Sequence, residues 1–179
     1  MDAVKKENSY TIDDIYALPD GERAELIDGK IYYMSPPSRD HQQLVLSLAR
    51  KIADYIDSKG GNCEVNVAPF AVFLNKDEEN YVEPDISVVC DSSKLDKKGC
   101  HGAPDWVIEI VSPSSKTMDY LIKATKYMNA GVREYWIVDP EEKSVAVYGF
   151  GSEFSAKFYT FGEDVPVGIY PSFSIKLPQ

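Results

Sequence analysis

The spacing of apolar and polar positions predicts one long helix in the first third of the chain. Apolar residues recur there at steps of three and four, the spacing of one helix face, namely at Leu44, Leu48, Ile52 and Tyr55. Ser38 is placed to cap the start of this helix, and the Gly60-Gly61 pair is typical of a helix end. A shorter helix is predicted between Thr11 and Pro19.

Runs of apolar and β-branched residues predict strands on both sides of the long helix. Residues 24–27 and 30–34 flank Asp28-Gly29, a strong signal for a hairpin turn. Further strands are predicted over residues 63–74, 83–90, 106–111, 132–138, 144–148, 154–161 and 172–177. A second main helix is predicted over residues 117–130. This order favours an α/β fold, a mixed β-sheet flanked by two main helices, with an N-terminal helix and hairpin and C-terminal strands.

Size and composition indicate a single domain over residues 1–179. The chain is 44% hydrophobic, enough for one core of this size. No apolar run is long enough to span a membrane, and the N-terminus lacks a signal-peptide pattern. We therefore expect a soluble cytoplasmic protein, in which the three cysteines, which show no CxxC spacing, are reduced thiols.

The charge of the chain restricts its partners. A formal net charge of −10 opposes nucleic-acid binding, because phosphate recognition normally needs clustered cations. Local clustering of cations, delivery by a basic partner, or carboxylates that hold a divalent metal would each reduce this conflict. No GxGxxG or GxxxxGK[ST] motif is present, so dinucleotide-binding and P-loop functions are excluded.

Glu109 is the first residue with unusual chemistry. The pleat of the strand over residues 106–111 places Trp106, Ile108 and Ile110 on one face. Val107, Glu109 and Val111 then share the opposite face. An ionised carboxylate in so apolar a strand is costly unless it pairs with a cation or coordinates a metal. A buried ion pair with an arginine or lysine is the simpler alternative.

Asp85 is the second such residue. Pro84 cannot donate to a sheet ladder, so it belongs at the start of its strand or at a sheet edge. If the strand after Asp85 neighbours the strand of Glu109, both carboxylates can reach one Mg²⁺, which prefers oxygen ligands. Taken alone, a Pro-Asp dipeptide most often marks a turn.

A cation within reach of both carboxylates is predicted on the second main helix. At 100° per residue, one apolar arc contains Tyr120, Leu121, Ala124, Tyr127 and Met128. Lys123 falls at the edge of this arc, whereas Lys126 points further towards solvent. We select Lys123 on this geometry. The alternative is a surface salt bridge between Lys123 and Asp119, four residues earlier.

Two further candidates lie in the first third of the chain. Glu25 lies in the first hairpin strand, beside the apolar pair Leu26-Ile27. His41 is in the first turn of the long helix, on the face of Leu44 and Leu48, where a histidine is more often a packing residue than a catalyst. The other histidine, His101, lies in a polar loop and is assigned no role.

These residues resemble the Uma-type restriction-endonuclease-like family over roughly residues 10–150. The similarity is carried by Ala24-Glu-Leu-Ile-Asp-Gly, Pro36-Pro-Ser-Arg-Asp-His, Glu83-Pro-Asp-Ile-Ser-Val-Val, Gly102-Ala-Pro-Asp-Trp-Val-Ile-Glu-Ile-Val-Ser-Pro-Ser-Ser, Asp119-x-x-x-Lys123-x-x-x-Tyr127 and Ala130-Gly-Val-Arg-Glu-Tyr-Trp-Ile-Val-Asp-Pro. The stretch over residues 102–140 is the most specific.

The family is in turn similar to the PD-(D/E)xK nucleases. The resemblance implies a restriction-endonuclease-like core and Mg²⁺-dependent phosphodiester cleavage, with Asp85 and Glu109 as metal carboxylates. Val111 stands where that motif has its lysine. The resemblance implies that the cation comes from the following helix, which fits Lys123, and that Glu25 is an additional acidic residue of the site.

The expected function is hydrolysis of DNA phosphodiester bonds by a metal-activated water. Mg²⁺, or Mn²⁺ in its place, would be held by Asp85 and Glu109, with Lys123 and Glu25 assisting and His41 contacting phosphate. The expected partners are DNA and a second copy of the chain, as restriction-type enzymes often cut as symmetric dimers. Two alternatives stay open. One is an inactive nuclease-like module that binds nucleic acid or protein. The other is an oligomer-forming protein whose surface anchors would be Tyr32, Tyr33, Tyr135 and Trp136, although such aromatics are more often core residues.

Overall fold

The structure, a computed structural model, describes residues 9–75, 77–113 and 115–178. Ser114, part of the motif that follows Glu109, lies outside them. The helices are α1 (Ile12–Tyr16), α2 (Arg39–Ser58) and α3 (Ala124–Ala130), with a short 3₁₀ helix at Ser92–Lys94 and a π-helical segment at Met118–Lys123. The strands are β1 (Ala24–Ile27), β2 (Lys30–Tyr33), β3 (Glu64–Val67), β4 (Val72–Phe73), β5 (Ile86–Val89), β6 (Cys100–His101), β7 (Trp106–Ile110), β8 (Glu134–Asp139), β9 (Ser144–Phe150), β10 (Phe154–Thr160), β11 (Asp164–Pro166) and β12 (Ser174–Lys176).

A six-stranded mixed sheet forms the centre of the fold. Its strand order is β10-β9-β8-β7-β5-β3. The β7–β8 pair is parallel, and the other neighbouring pairs are antiparallel. Three two-stranded ladders, β1–β2, β4–β6 and β11–β12, accompany it in the described part of the chain. The predicted α/β class with a mixed sheet and few helices is confirmed.

Each main helix supplies the core on one face of the sheet. Leu48 and Ile52 of α2 share an apolar cluster with Trp106, Ile108 and Ile110 of β7. Tyr127 of α3 belongs to a second cluster, with Val107 and Val111. The predicted alternation along β7 is therefore confirmed. Glu109 lies on the α3 side of this strand, within a sheet that is covered on both faces.

Local signals in the sequence specify the β1–β2 hairpin and the start of α2. Asp28 and Gly29 have φ values of 50° and 70°, and Ile27 pairs with Lys30, so the predicted tight hairpin is confirmed. The Ser38 side chain accepts a hydrogen bond from the backbone N of His41 at 3.2 Å, which caps α2 as predicted. This cap places His41 in the first turn of a 20-residue helix.

The second main helix departs from the predicted regular geometry. Its first part, Met118–Lys123, is π-helical, and α3 continues from there to Gly131, whose φ of 95° ends it. The predicted apolar arc is wrong at Leu121 and Met128, which are exposed. Two charged residues, Asp119 and Lys123, are buried together with Tyr127 of the predicted arc. Lys123 and Tyr127 have polar partners on strands, at Glu25 and Glu109, and Asp119 pairs with Lys123.

Two of the three cysteines differ from the expectation of reduced thiols. Cys63 and Cys90 form a disulfide, whereas Cys100 is free and buried. The pairing follows from the β3–β5 register, in which Glu64 faces Val89, so the next residues outward also face each other. None of the described helices is long and apolar enough to cross a membrane.

Candidate functional site

Asp85 and Glu109 lie side by side at one end of the β5–β7 pair. Ile86 faces Ile108 in this antiparallel register, which places Asp85, just before β5, opposite Glu109. The backbone N of Asp85 donates to Glu109 Oε2 at 3.3 Å, and the backbone N of Ile110 donates to Asp85 Oδ2 at 2.8 Å. The predicted neighbourhood of the two carboxylates is confirmed. Their side chains are 18% and 6% exposed.

Lys123 joins Glu109 to the N-terminal hairpin. Its Nζ lies 2.9 Å from Glu109 Oε1 and 2.8 Å from Glu25 Oε2, and it is 3.7 Å from Asp119 Oδ1. Glu25 is itself held in place, because its Oε1 accepts from the backbone N of Glu83 at 2.9 Å. The salt bridge with Asp119 is therefore buried and not on the surface. The structure also contains the buried ion pair that the sequence offered as the alternative for Glu109.

Two tyrosines fix the orientation of this cluster. The Tyr127 hydroxyl donates to Glu109 Oε1 at 2.8 Å. The Tyr135 hydroxyl donates to the backbone O of Asp119 at 3.1 Å. Both tyrosines are fully buried, and their rings meet edge to face at 4.9 Å. Glu109 Oε1 thus accepts from an ammonium and a phenol, while Oε2 faces Asp85.

His41 brings the start of α2 to the same site. Its Nε2 lies 3.0 Å from Asp85 Oδ2. Burial favours the neutral ring, but the hydrogen bond and the charge of Asp85 outweigh this and raise the pKa of His41 above its ordinary value. The Nδ1 atom is buried and has no partner among the described residues. The contact of His41 is with a carboxylate of the site.

Negative charge exceeds positive charge in this cluster. Glu25, Glu109 and Asp119 surround Lys123, and Asp85 lies beside Glu109 and His41. Burial raises the pKa of Glu109 to about 8, opposed by Lys123 and reinforced by the other carboxylates. Burial also opposes the charged form of Lys123, but the carboxylates outweigh it and hold the pKa of Lys123 well above its ordinary value. The site therefore favours a further positive charge.

The protein ligands alone do not form a closed metal cage. No group of three or more His, Cys, Asp or Glu side chains within residues 9–75, 77–113 and 115–178 is placed to hold a metal ion. A cation at Asp85 and Glu109 would need further ligands from water or substrate. Mg²⁺ is commonly bound in this way, through one or two carboxylates, several waters and substrate phosphates.

A family model described as "Uma2: Putative restriction endonuclease" matches residues 12–173. The chain belongs to the Uma2 family. An uncharacterized protein from Synechocystis sp. is 28% identical over 128 residues, 71% of this chain. The match spans 66% of the length of that curated relative, slightly under two thirds.

A solved structure described as "a putative nuclease belonging to DUF820 from Anabaena variabilis" is similar to this chain in three dimensions. Its TM-score is 0.73 at 23% identity, over 93% of this chain and 94% of that one. At this identity the similarity establishes the fold. The family of this chain and its fold are both nuclease-like.

The structure brings five predicted residues together: Glu25, His41, Asp85, Glu109 and Lys123. Lys126 instead pairs with the more exposed Asp28 on the hairpin turn, in agreement with the choice of Lys123. His101, which was assigned no role, pairs with Asp96 at 3.0 Å.

Sequence reasoning missed the contributions of Asp119 and Tyr127. Both residues belong to a motif of the family resemblance, but the sequence assigned Asp119 no role beyond a surface salt bridge with Lys123 and Tyr127 none beyond the apolar arc. The spacing of Asp119, Lys123 and Tyr127 at four-residue steps contained the signal, because such residues share one helix face. Tyr135 and Trp136 are fully buried, which agrees with their interpretation as core residues and removes them as surface anchors.

Proposed function

We propose that this protein is a metal-dependent endonuclease that hydrolyses DNA phosphodiester bonds, with Mg²⁺, or Mn²⁺ in its place, held by Asp85 and Glu109. The observation that carries the proposal is the Asp85–Glu109 pair beside a buried lysine in a cluster with surplus negative charge. The family description as a restriction endonuclease supports the reaction class. The arrangement is also that expected of a PD-(D/E)xK nuclease whose lysine has moved to the following helix.

The carboxylates fit a hard divalent cation. Among the described residues, both contacts of the Asp85 carboxylate involve Oδ2, so Oδ1 is left for another ligand. When bound, the metal would supply polarisation of the scissile phosphate and a lowered pKa of an attacking water. Asp85 is the more exposed of the two carboxylates and would be the more accessible to a substrate phosphate.

The other residues orient charge in the site. Lys123, held by Glu25 and Glu109, would offset negative charge that grows on the phosphate oxygens during cleavage. Glu25 positions this ammonium from the hairpin. His41, through Nε2, holds Asp85 Oδ2 and thereby orients Oδ1. A phosphate contact by His41 stays a prediction, since it requires release of Asp85 or access to the buried Nδ1.

Nicking of supercoiled plasmid and cleavage of oligonucleotides test the proposal. The wild type is compared with Asp85→Asn and with the control Asp54→Asn, which alters an exposed aspartate on α2. We expect Mg²⁺- or Mn²⁺-dependent cleavage by wild type and control, and loss of cleavage in Asp85→Asn or with chelator. Equal cleavage by Asp85→Asn, or no cleavage with any divalent metal, contradicts the proposal.

A second function is favoured by a specific observation. The Lys123 ammonium already neutralises part of the carboxylate cluster, and Val111 occupies the position of the usual lysine. A nuclease-like module that binds nucleic acid or protein without cutting it would have these features, and the net charge of −10 suits a protein partner. A thermal unfolding midpoint that Mg²⁺ and Mn²⁺ leave unchanged would favour this module.

A further inference from the structure

A partly exposed aromatic face lies at the β9–β10 end of the sheet, away from the carboxylates next to and on β5 and β7. It consists of four side chains on β9 and β10: Tyr148, Phe150, Phe154 and Phe158. The rings are in mutual contact, with centroids 6.2 Å apart for Phe150–Phe154 and 6.5 Å apart for Tyr148–Phe158. Phe154 and Phe158 are 63% and 69% exposed. Single exposed aromatics need no explanation, but a contiguous group indicates an interaction site.

The strand that carries this face is open on one side. β10 is the outermost strand of the six-stranded order and pairs with β9 alone in the described part of the chain. Alternate residues of this seven-residue strand turn their backbone groups to that edge, where Thr160 is already bonded to Glu163. Such an edge readily adds another strand. The aromatic face and the open edge therefore offer side-chain and backbone contacts to the same partner.

We infer that β10 pairs in antiparallel fashion with β10 of a second copy of this chain, about a two-fold axis at Ala156. In this register Phe154 faces Phe158 of the partner subunit, and Phe158 faces the partner subunit's Phe154. Both pairs lie on the aromatic face, because Phe154, Ala156 and Phe158 alternate with Ser155 and Lys157. Aromatic cross-strand pairs of this kind stabilise a sheet. The interface is isologous, as a two-fold axis requires.

The facing aromatic pairs select this register, and the charges are complementary within it. Lys157 faces Ser155 of the partner subunit, and Glu153, one residue before the strand, lies diagonal to the partner's Lys157. The symmetry makes two such Glu153–Lys157 pairs. A register centred on Lys157 would place two lysines directly opposite each other, which is unfavourable. A register centred on Ser155 would lose the facing Phe154–Phe158 pairs.

Charge also favours a second copy over nucleic acid at this face. Single-stranded nucleic acid would stack on such aromatics only beside a basic groove. Lys157 is the single cation in the β10 sequence, and Glu153 and Glu163 flank the strand. A self-complementary surface needs no such groove. This inference does not depend on the proposed nuclease activity.

Sedimentation velocity over a range of protein concentrations tests the dimer. We expect the wild type to form a concentration-dependent dimer, and Phe154→Ser/Phe158→Ser to raise its Kd by roughly 30-fold or more. Tyr33→Ser is the control, since Tyr33 is a similarly exposed aromatic, 67% exposed, on β2. A monomeric wild type, or a dimer that the double substitution leaves intact, overturns the inference.

A charge reversal tests the Glu153–Lys157 contact across the interface and not merely apolar contact. The substitution Lys157→Glu places two negative charges diagonal to each other and should weaken the dimer. The double substitution Glu153→Lys/Lys157→Glu restores opposite charges and should restore the dimer. Failure of the double reversal to restore dimerisation contradicts the register. Binding of oligo(dT) by a monomeric wild type, lost in Phe158→Ser, would assign the face to nucleic acid and overturn the dimer.

Discussion

Glu109 and Glu134 are two buried glutamates on neighbouring strands, and their partners differ in kind. Glu134 on β8 is 2% exposed and accepts from Trp136 Nε1 at 2.6 Å and from the backbone N of Ile169 at 2.8 Å. Its partners are neutral and include the segment before β12. Glu109 on β7 is 4% exposed and accepts hydrogen bonds from Lys123, from the Tyr127 hydroxyl and from the backbone N of Asp85.

This difference shows which buried carboxylates point to function. Burial raises the pKa of both glutamates, so the direction of the shift does not separate them. Neutral donors satisfy Glu134, which ties the C-terminal segment to the sheet. Around Glu109, several carboxylates share one cation, an arrangement that adds little stability of its own and fits the binding of a further cation. The following experiments compare the two environments.

Removal of Lys123 should have the largest effect on stability. Lys123→Met leaves Glu25, Glu109 and Asp119 without a buried counter-charge, and we expect a loss of about 3–5 kcal/mol in the free energy of unfolding. Lys126→Met is the matched control on the same helix, and its partly exposed pair with Asp28 should be worth less than about 1 kcal/mol. Urea denaturation measures both, and equal losses would contradict the buried role of Lys123.

Substitution of Glu134 should have the next largest effect. Trp136 donates to Oε1 and Ile169 to Oε2, whereas a glutamine offers only one oxygen. We expect Glu134→Gln to lower the free energy of unfolding by about 1–3 kcal/mol, with unchanged metal response. A loss of metal response without destabilisation would show that Glu134 belongs to the site and is not a structural tie.

The hydroxyl of Tyr127 should contribute less. Tyr127→Phe removes one hydrogen bond to Glu109, which keeps Lys123 as a donor to the same oxygen, so we expect a loss of about 1 kcal/mol. Tyr81→Phe is a useful control, because its hydroxyl donates to Glu83, outside the cluster. Denaturation of both variants checks the value, and only Tyr127→Phe should also alter metal affinity.

A modest pH dependence should arise from Glu134. Burial raises the pKa of Glu134 in the folded state above its ordinary value of 4.5. Between pH 4.5 and the raised pKa, the folded protein therefore binds more protons than the unfolded chain. This contribution therefore weakens stability as the pH rises through the raised pKa. Urea denaturation at several pH values should show a shallower decline in Glu134→Gln than in the wild type. An identical slope in the variant would contradict the assignment.

Much of the fold could be predicted from local sequence. The Asp28-Gly29 turn, the Ser38 cap and the alternation along β7 each follow from a few adjacent residues, and the structure confirms them. The neighbourhood of Asp85 and Glu109 could be predicted only on the condition that their strands pair, which the structure shows they do.

The remaining features depend on distant partners. Lys123 and Glu25 are 98 residues apart, so no local pattern shows that the hairpin reaches the helix. Tyr127 is buried with its hydroxyl pointing inward because Glu109 accepts its hydrogen bond. A helical wheel at a constant 100° per residue could not give the position of Tyr127, because the preceding segment is π-helical. The Cys63–Cys90 disulfide likewise depends on the register of β3 and β5.

Calorimetric titration with Mn²⁺ tests the central claim most directly, because it measures metal binding without requiring a known substrate. Wild type, Glu109→Gln and Asp85→Asn are compared with Glu134→Gln as the control. We predict one site in the wild type and in Glu134→Gln, with affinity reduced by roughly 10–100-fold or lost in the other two variants. Equal Mn²⁺ binding by the wild type and Glu109→Gln would contradict the assignment of Asp85 and Glu109 as the metal site.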